Sequence, residues 1–227
     1  TLFVSSFLVL DDLGFDTEWG FGNYVTLVTD PIIPKAFVNT LIICTGSTVL
    51  ATFLGVSLAW TNARTNCPWR DYLEPFNLIP FFLSPFVGAI AWHNMGEPQT
   101  GLLNNLARDI FGIEGAIMNI DNIWGVIWVT GIFFAPLVYL FVVGSLRRMD
   151  PSLEDSARTT GAGLFRTTMT VTLPLVMPGI LSGAIIVFVT SAGEFGVPFK
   201  LSAPYGWETL TTQIFSKAVG DDANHYL

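Results

Sequence analysis

Charged side chains are scarce: Asp, Glu, Lys and Arg make up 12% of the 227 residues, against roughly 25% in ordinary soluble domains. So little charge cannot solvate a surface of this size, which argues against a soluble globular chain. The formal net charge is −8 with only ten Lys and Arg, so nothing in the balance of charge invites a nucleic acid. There are two cysteines. Cys44 lies inside a long apolar run and Cys67 beyond its end, so the two read as free thiols, with no disulfide framework and no metal pair. The two histidines, His93 and His225, stand apart from each other and complete no Ser-His-acid or metal-ligand pattern. A phosphate-binding loop is also missing, because Gly161-Ala162-Gly163 lacks the Lys and the preceding strand that one needs. Catalytic residues, metal ligands and a cofactor in this chain are therefore not expected.

Hydrophobic residues, by contrast, reach 51%, and they are gathered in four charge-free runs at about 36–60, 75–95, 123–146 and 174–193. About 20 residues of helix cross about 30 Å of hydrocarbon. The expected fold is therefore an all-α, polytopic transmembrane bundle. Residues 1–227 read as one membrane domain, incomplete at both ends: Thr1–Leu10 looks like the stump of an earlier span, and Leu227 follows a polar stretch with no closing span. Arg64, Arg70, Arg147, Arg148, Arg158 and Arg166 fall on one side of the four spans, and the other four basic residues share the opposite side with thirteen acids. The excess of Lys and Arg places the first side in the cytoplasm.

Within the first run, Thr40, Cys44, Thr48, Ala51, Gly55 and Ala59 form a stripe of small residues suited to close helix packing. Pro80 and Pro85 interrupt the second run. Each removes a backbone hydrogen bond that lipid cannot replace, which suggests a kinked segment turned toward the bundle interior, either lining the substrate path or serving only as a structural kink. Pro136 interrupts the third run, and Gly179 and Gly183 form a small-residue pair in the fourth. Between the second and third runs a short helix is expected at Leu102–Phe111. Glu194, at the end of the fourth run, is a candidate gate or path acid, or a boundary carboxylate.

The hydrophilic loop at 147–173 carries the clearest local signals. Asp150 suits an N-cap, Pro151 the first helical position, and Glu154 and Asp155 the positive end of a helix dipole. Ser152 with Asp155 offers an alternative capping register. Gly161 stands where a left-handed residue would end the helix. A helix of about ten residues is marginal alone in water, so a partner surface is expected. Leu153, Ala157 and Thr160 share one face, and Arg158 can reach a partner's carboxylate.

Asp155-Ser156-Ala157, then Gly161, then Val171-Thr172-Leu173-Pro174 resembles the cytoplasmic loop of ABC-importer permeases of the MetI-like, binding-protein-dependent superfamily. That family's pattern is Glu-Ala-Ala, three residues, Gly, nine residues and Ile-x-Leu-Pro. Every spacer matches, with Asp, Ser and Val as the departures and Glu154 supplying a carboxylate one position early. The resemblance implies a multi-pass subunit of the bacterial inner membrane that hydrolyses nothing itself. It implies that Glu154, Asp155, Ser156, Ala157, Arg158, Gly161, Leu173 and Pro174 couple it to a separate ABC ATPase. It further implies a second permease half, fused or separate, and a solute-binding protein outside. Glu194-Phe195-Gly196-Val197-Pro198 and the Pro80–Pro85 region resemble ferric-iron permeases more loosely, so iron(III) is the expected cargo. Phosphonate, polyamine, thiamine or sulfate are alternatives, and a membrane enzyme or scaffold subunit is the reading from a different class.

Overall fold

A charge-free run in lipid must satisfy its own backbone hydrogen bonds, and a helix does so within one segment. The computed structural model describes residues 7–10, 17–21, 25, 29–65, 70–112 and 115–225. Apart from an antiparallel hairpin of two three-residue strands, β1 (Leu8–Leu10) and β2 (Thr17–Trp19), the regular elements among them are helical. They are α1 (Ile32–Arg64), α2 (Arg70–Phe82), α3 (Pro85–Gly96), α4 (Leu102–Phe111), α5 (Ile123–Arg148), α6 (Pro151–Thr159), α7 (Leu164–Thr167), α8 (Leu173–Ala192), α9 (Gly196–Leu201) and α10 (Leu210–His225). A π turn at Thr168–Thr172 joins α7 to α8, and a 3₁₀ turn at Ala203–Tyr205 follows α9. Among the described residues three helical stretches are long and apolar enough to cross a membrane: α1, α5 and the continuous run Leu164–Ala192. The bent pair α2–α3 makes a fourth if it is one span. Cys67, much of the acidic segment before Thr29, residues 1–6 and residues 226–227 lie outside the described residues, while Leu8–Leu10, read as the end of a spanning stump, is the first strand of the hairpin.

The core forms around α5, whose Val126, Val129, Val138 and Tyr139 are fully buried. Against it α1 buries its small-residue stripe, including Cys44, Ala51, Gly55 and Ala59, and leaves Val49 and Phe53 exposed. Glycine sets how close the helices come. A Cβ at Gly46 would lie 2.7 Å from Ile127, one at Gly131 2.7 Å from Leu50, and one at Gly55 2.7 Å from Val138. These contacts advance together along both helices, so α1 and α5 run parallel. On α8, Gly179 meets Ser145 and Phe141, and Gly183 meets Val138. That order is reversed, so α8 runs antiparallel to α5, and the Gly179/Gly183 pair serves close packing within the chain. Asn62 donates to the Tyr139 hydroxyl at 2.8 Å. Both groups are buried, and leaving either unpaired would cost about 1–3 kcal/mol.

The second apolar run, 75–95, is not one helix. It bends by 97° between Phe82 and Pro85. Pro85 opens α3, and the residue before a proline is driven out of the helical region, as Ser84 shows with φ −66° and ψ 128°. Pro80 stays inside α2. Pro136, read as an interruption, lies within an unbroken α5. The fourth span also starts earlier than 174, because 164–172 is already helical and the loop is correspondingly shorter.

Arg64, Arg147 and Arg148 gather at one end of the bundle, where Arg147 donates to Glu74 at 2.7 Å. At the other end Lys217 bonds Asp30 at 2.7 Å, while Asn39 and Thr40 bond Glu208 and Leu210, fixing α10 to the start of α1. His93 is not isolated: its Nδ1 lies 2.7 Å from Asp121, which also accepts from the Tyr205 hydroxyl at 3.0 Å. This triad ties α3, the segment before α5 and the 3₁₀ turn together.

Candidate functional site

The loop after α5 folds into α6 as its residues dictate. Asp150 caps the helix, its carboxylate accepting from the Ser152 N–H at 2.9 Å. That bond holds the Asp150 pKa below its ordinary value, since it favours the ionised form. The Asp150 register is thus the one adopted, and one turn on the Ser156 hydroxyl donates to the Ser152 backbone carbonyl at 2.7 Å. At the far end Gly161 takes φ +91°. Its N–H bonds the Arg158 carbonyl at 3.0 Å and the Ala162 N–H bonds the Ala157 carbonyl at 3.1 Å, the two bonds of a Schellman cap. A Cβ at Gly161 would have open space around it, so the requirement for glycine is the left-handed backbone, at about 1 kcal/mol or more for other residues.

With both ends closed, α6 presents two faces. Glu154 turns inward: its Oε1 lies 3.3 Å from Arg64 Nη2 and accepts from Thr172 Oγ1 at 2.7 Å. The same Arg64 nitrogen also reaches the sulfur of Met149 at 3.9 Å. The end of α1 and the root of α8 therefore converge on one carboxylate, and the start of the loop meets them through Arg64. Ala157 is half-buried beside it, and Arg158 joins Arg64 and Glu154 around a cavity of about 340 Å³. Ser152, Asp155, Ser156 and Thr159 form the opposite, exposed face. Leu153 is exposed to one side.

Leu173 and Pro174 sit where the π turn passes into α8. Pro174 has no N–H to offer the carbonyl four residues back, and the turn before it is wound wider, the Leu173 N–H bonding Thr168 five residues back. Such π turns are rare and mark sites of strain or function.

Pro80, Pro85 and Glu194 fall away from α6. Pro85 and Glu194 come near one another through α3 and α9: a Cβ at Gly196 would lie 2.9 Å from Phe86. Glu194 is half-buried and caps α9, accepting from the Val197 N–H at 3.4 Å, while its carbonyl accepts from Thr211. Pro80 lies across the bend. Among the described residues no group of three His, Cys, Asp or Glu side chains could hold a metal ion. Sequence reasoning gave no role to Arg64 beyond its charge and none to Thr172. Only their distance in sequence from Glu154 hid them.

Helices of spanning length packed through glycine, with a stiff capped helix between two of them, define a polytopic membrane bundle of permease type. The chain belongs to the family of binding-protein-dependent transport system inner membrane components, which it matches over residues 30–216. It is 33% identical to the molybdenum transport system permease protein ModB of Escherichia coli (strain K12) over 69% of its own length, and it spans 66% of that relative. It is 28% identical to a probable sulfate transport system permease protein of Chlorokybus atmophyticus, over 81% of this chain and 65% of that one. Its fold matches a chain in the crystal structure of a bacterial alginate ABC transporter in complex with alginate pentasaccharide-bound periplasmic protein. The TM-score is 0.74 at 20% identity, covering 89% of this chain and 73% of that one.

Proposed function

We propose that this chain is the membrane permease of an ATP-driven importer in a bacterial inner membrane, with the arginine end of the bundle in the cytoplasm. The observation that carries this reading is the two-faced α6. Its inner face is fixed to α1 and α8 through Glu154, so a push on its outer face moves the spans. Asp155 and Ser156, the motif positions, lie on that outer face and are the proposed contact with a separate ATPase. Glu154, Ala157, Gly161, Leu173 and Pro174 transmit rather than touch: they hold the helix, end it, or join it to α8, while the exposed Arg158 is placed to reach a carboxylate of the ATPase. A second permease half and a soluble binding protein complete the assembly. Rigid movement of one half against the other then opens the path to either side.

The proposed cargo is a small inorganic oxyanion of the molybdate or sulfate class. The names of the two relatives favour this over the iron(III) expected from the looser resemblance. The full-length permease, reconstituted with its ATPase and binding protein, should drive ATP-dependent uptake of labelled molybdate or sulfate and leave ferric iron outside. Uptake of iron without either oxyanion would reverse the assignment of cargo.

A further inference from the structure

Helix α4 has three sides. Asn104 and Ala107 are buried against the bundle. Asn105, Arg108 and Asp109 form a polar side. The third side is a row of Leu102, Leu106 and Ile110, spaced four residues apart and so stacked on one face, with Leu103 and Phe111 at its edges. Among the described residues nothing covers this row: Leu102, Leu106, Ile110 and Phe111 are each more than half exposed. A contiguous apolar surface left open in this way marks a place where the molecule meets something apolar.

Hydrogen bonds fix where the row sits. Asn104 donates to the carbonyls of Glu97 and Met118, both at 2.9 Å, and accepts from the Met118 N–H at 3.0 Å. The Ile120 N–H closes the segment on the Gly96 carbonyl at 3.4 Å, and Arg108 reaches back to the Pro98 carbonyl at 2.7 Å. Helix α4 therefore lies across the ends of α3 and α5 instead of projecting beyond them. Tryptophans gather at the same level. Trp124 is exposed in the first turn of α5, Trp92 of α3 meets Trp128 of α5 edge-on with ring centres 5.9 Å apart, and Trp207 follows the 3₁₀ turn. Tryptophan collects at the headgroup boundary of a membrane, so the row is held at that boundary and not in open water.

We propose that α4 lies in the outer headgroup layer with Leu102, Leu106 and Ile110 turned into the lipid. Helices that rest on a bilayer surface carry charge on one side and uncharged carbon on another, and α4 has both. A soluble protein arriving from water would meet the side with Arg108 and Asp109 instead. The inference rests on the membrane reading proposed above, and the choice of leaflet on the arginine end being cytoplasmic; it does not depend on which solute is imported. Bonded to both Glu97 and Met118, a helix held in the headgroups braces the outer ends of α3 and α5.

The test uses the full-length permease with its second half in lipid nanodiscs, carrying single spin labels on cysteines in a Cys-free background. Labels at Leu106→Cys and Ile110→Cys should collide with oxygen, which concentrates in lipid, more than with a water-soluble nickel chelate, and should report a depth of about 5–10 Å below the headgroup boundary. A label at Asp109→Cys should show the reverse preference. When Leu102→Glu and Leu106→Glu are added, the Ile110 label should lose that depth and open to the chelate, while size-exclusion behaviour stays the same because both replaced side chains are exposed. Chelate access at Leu106 and Ile110 without those changes would overturn the proposal. So would shielding from both agents, which would put the second permease half over the row, or chelate access that ends when a binding protein is added, which would make the row a docking surface for it. Reaction of Asp109→Cys with an impermeant thiol reagent only from the ATPase side would overturn the leaflet together with the orientation of the bundle, whereas failure of the depth readings leaves that orientation untouched.

Discussion

Gly55→Leu is expected to leave little folded protein, while Gly144→Leu on α5 is tolerated. The two substitutions add the same side chain to helices of one bundle. At Gly55 even a Cβ would lie 2.7 Å from Val138 Cβ, 2.8 Å from the Ala135 carbonyl and 2.9 Å from the Tyr139 nitrogen, whereas at Gly144 nothing lies within 4 Å. Overpacking generally destabilises by about 1–3 kcal/mol, and by more where neighbours cannot yield. Two of the three neighbours at Gly55 are backbone atoms of the central helix, so α1 itself has to move away. That movement would also part Asn62 from Tyr139 two turns further on, leaving two buried polar groups without their bond. Thermal unfolding and size-exclusion profiles of the purified permease in detergent measure this. Equal behaviour of the two variants would mean that α1 and α5 are not packed as described.

Glu154→Lys is expected to abolish ATP-driven uptake in reconstituted vesicles, and exchanging the charges with Arg64→Glu is expected to restore part of it. The single change removes the acceptor for Thr172 and Arg64 and sets a cation beside Arg64 and Arg158. Glu154 and Arg64 are 22% and 19% exposed, so solvent screens the pair in part, and the loss of the pair alone is about 1–2 kcal/mol. The larger consequence is mechanical. An α6 no longer tied to α1 and α8 can follow the ATPase without moving the spans, so binding-protein-stimulated hydrolysis should persist better than uptake does. The exchanged pair recovers the attraction but not the Thr172 bond, hence partial rescue. Rescue is the decisive observation, because a variant that merely misfolds would not be repaired by a second substitution at the end of α1.

The parts of this fold that were legible in the sequence are those set by short-range chemistry. Long charge-free runs have few ways to exist, so α1, α5 and α8 follow from hydropathy. Leu102–Phe111 follows from the three-to-four-residue spacing of its apolar side chains, at 102, 103, 106, 107, 110 and 111, between Gly101 and Gly112. Asp150-Pro151 and Gly161 specify their cap and their left-handed turn locally, as the bond to Ser152 and the φ of +91° bear out. Where the sequence misled, the answer depended on distant packing. Pro80, Pro85 and Pro136 look alike on paper, yet only the step before Pro85 breaks a helix, and there α9 lies close enough for Gly196 to pack on Phe86. Glu154 and Asp155 are adjacent carboxylates at a helix start, and only Arg64, on a different span, decides that one turns in and the other out. His93 found its partner in Asp121 across the α4 loop, a pairing no local pattern announces.

The central claim is that the outer face of α6 is where a separate ATPase pushes. Its most direct test is site-specific cross-linking in the complex of full-length permease and ATPase, with single cysteines in a Cys-free background at Ser156, at Thr172 and at Thr100. Ser156 is exposed on the outer face, Thr172 is buried at the root of α8, and Thr100 lies before α4 toward the opposite end of the bundle. The account predicts a short-range cross-link to the ATPase from Ser156→Cys alone, with a yield that changes on adding ATP. A cross-link from Thr100→Cys and none from Ser156→Cys would contradict both the orientation of the bundle and the role of α6.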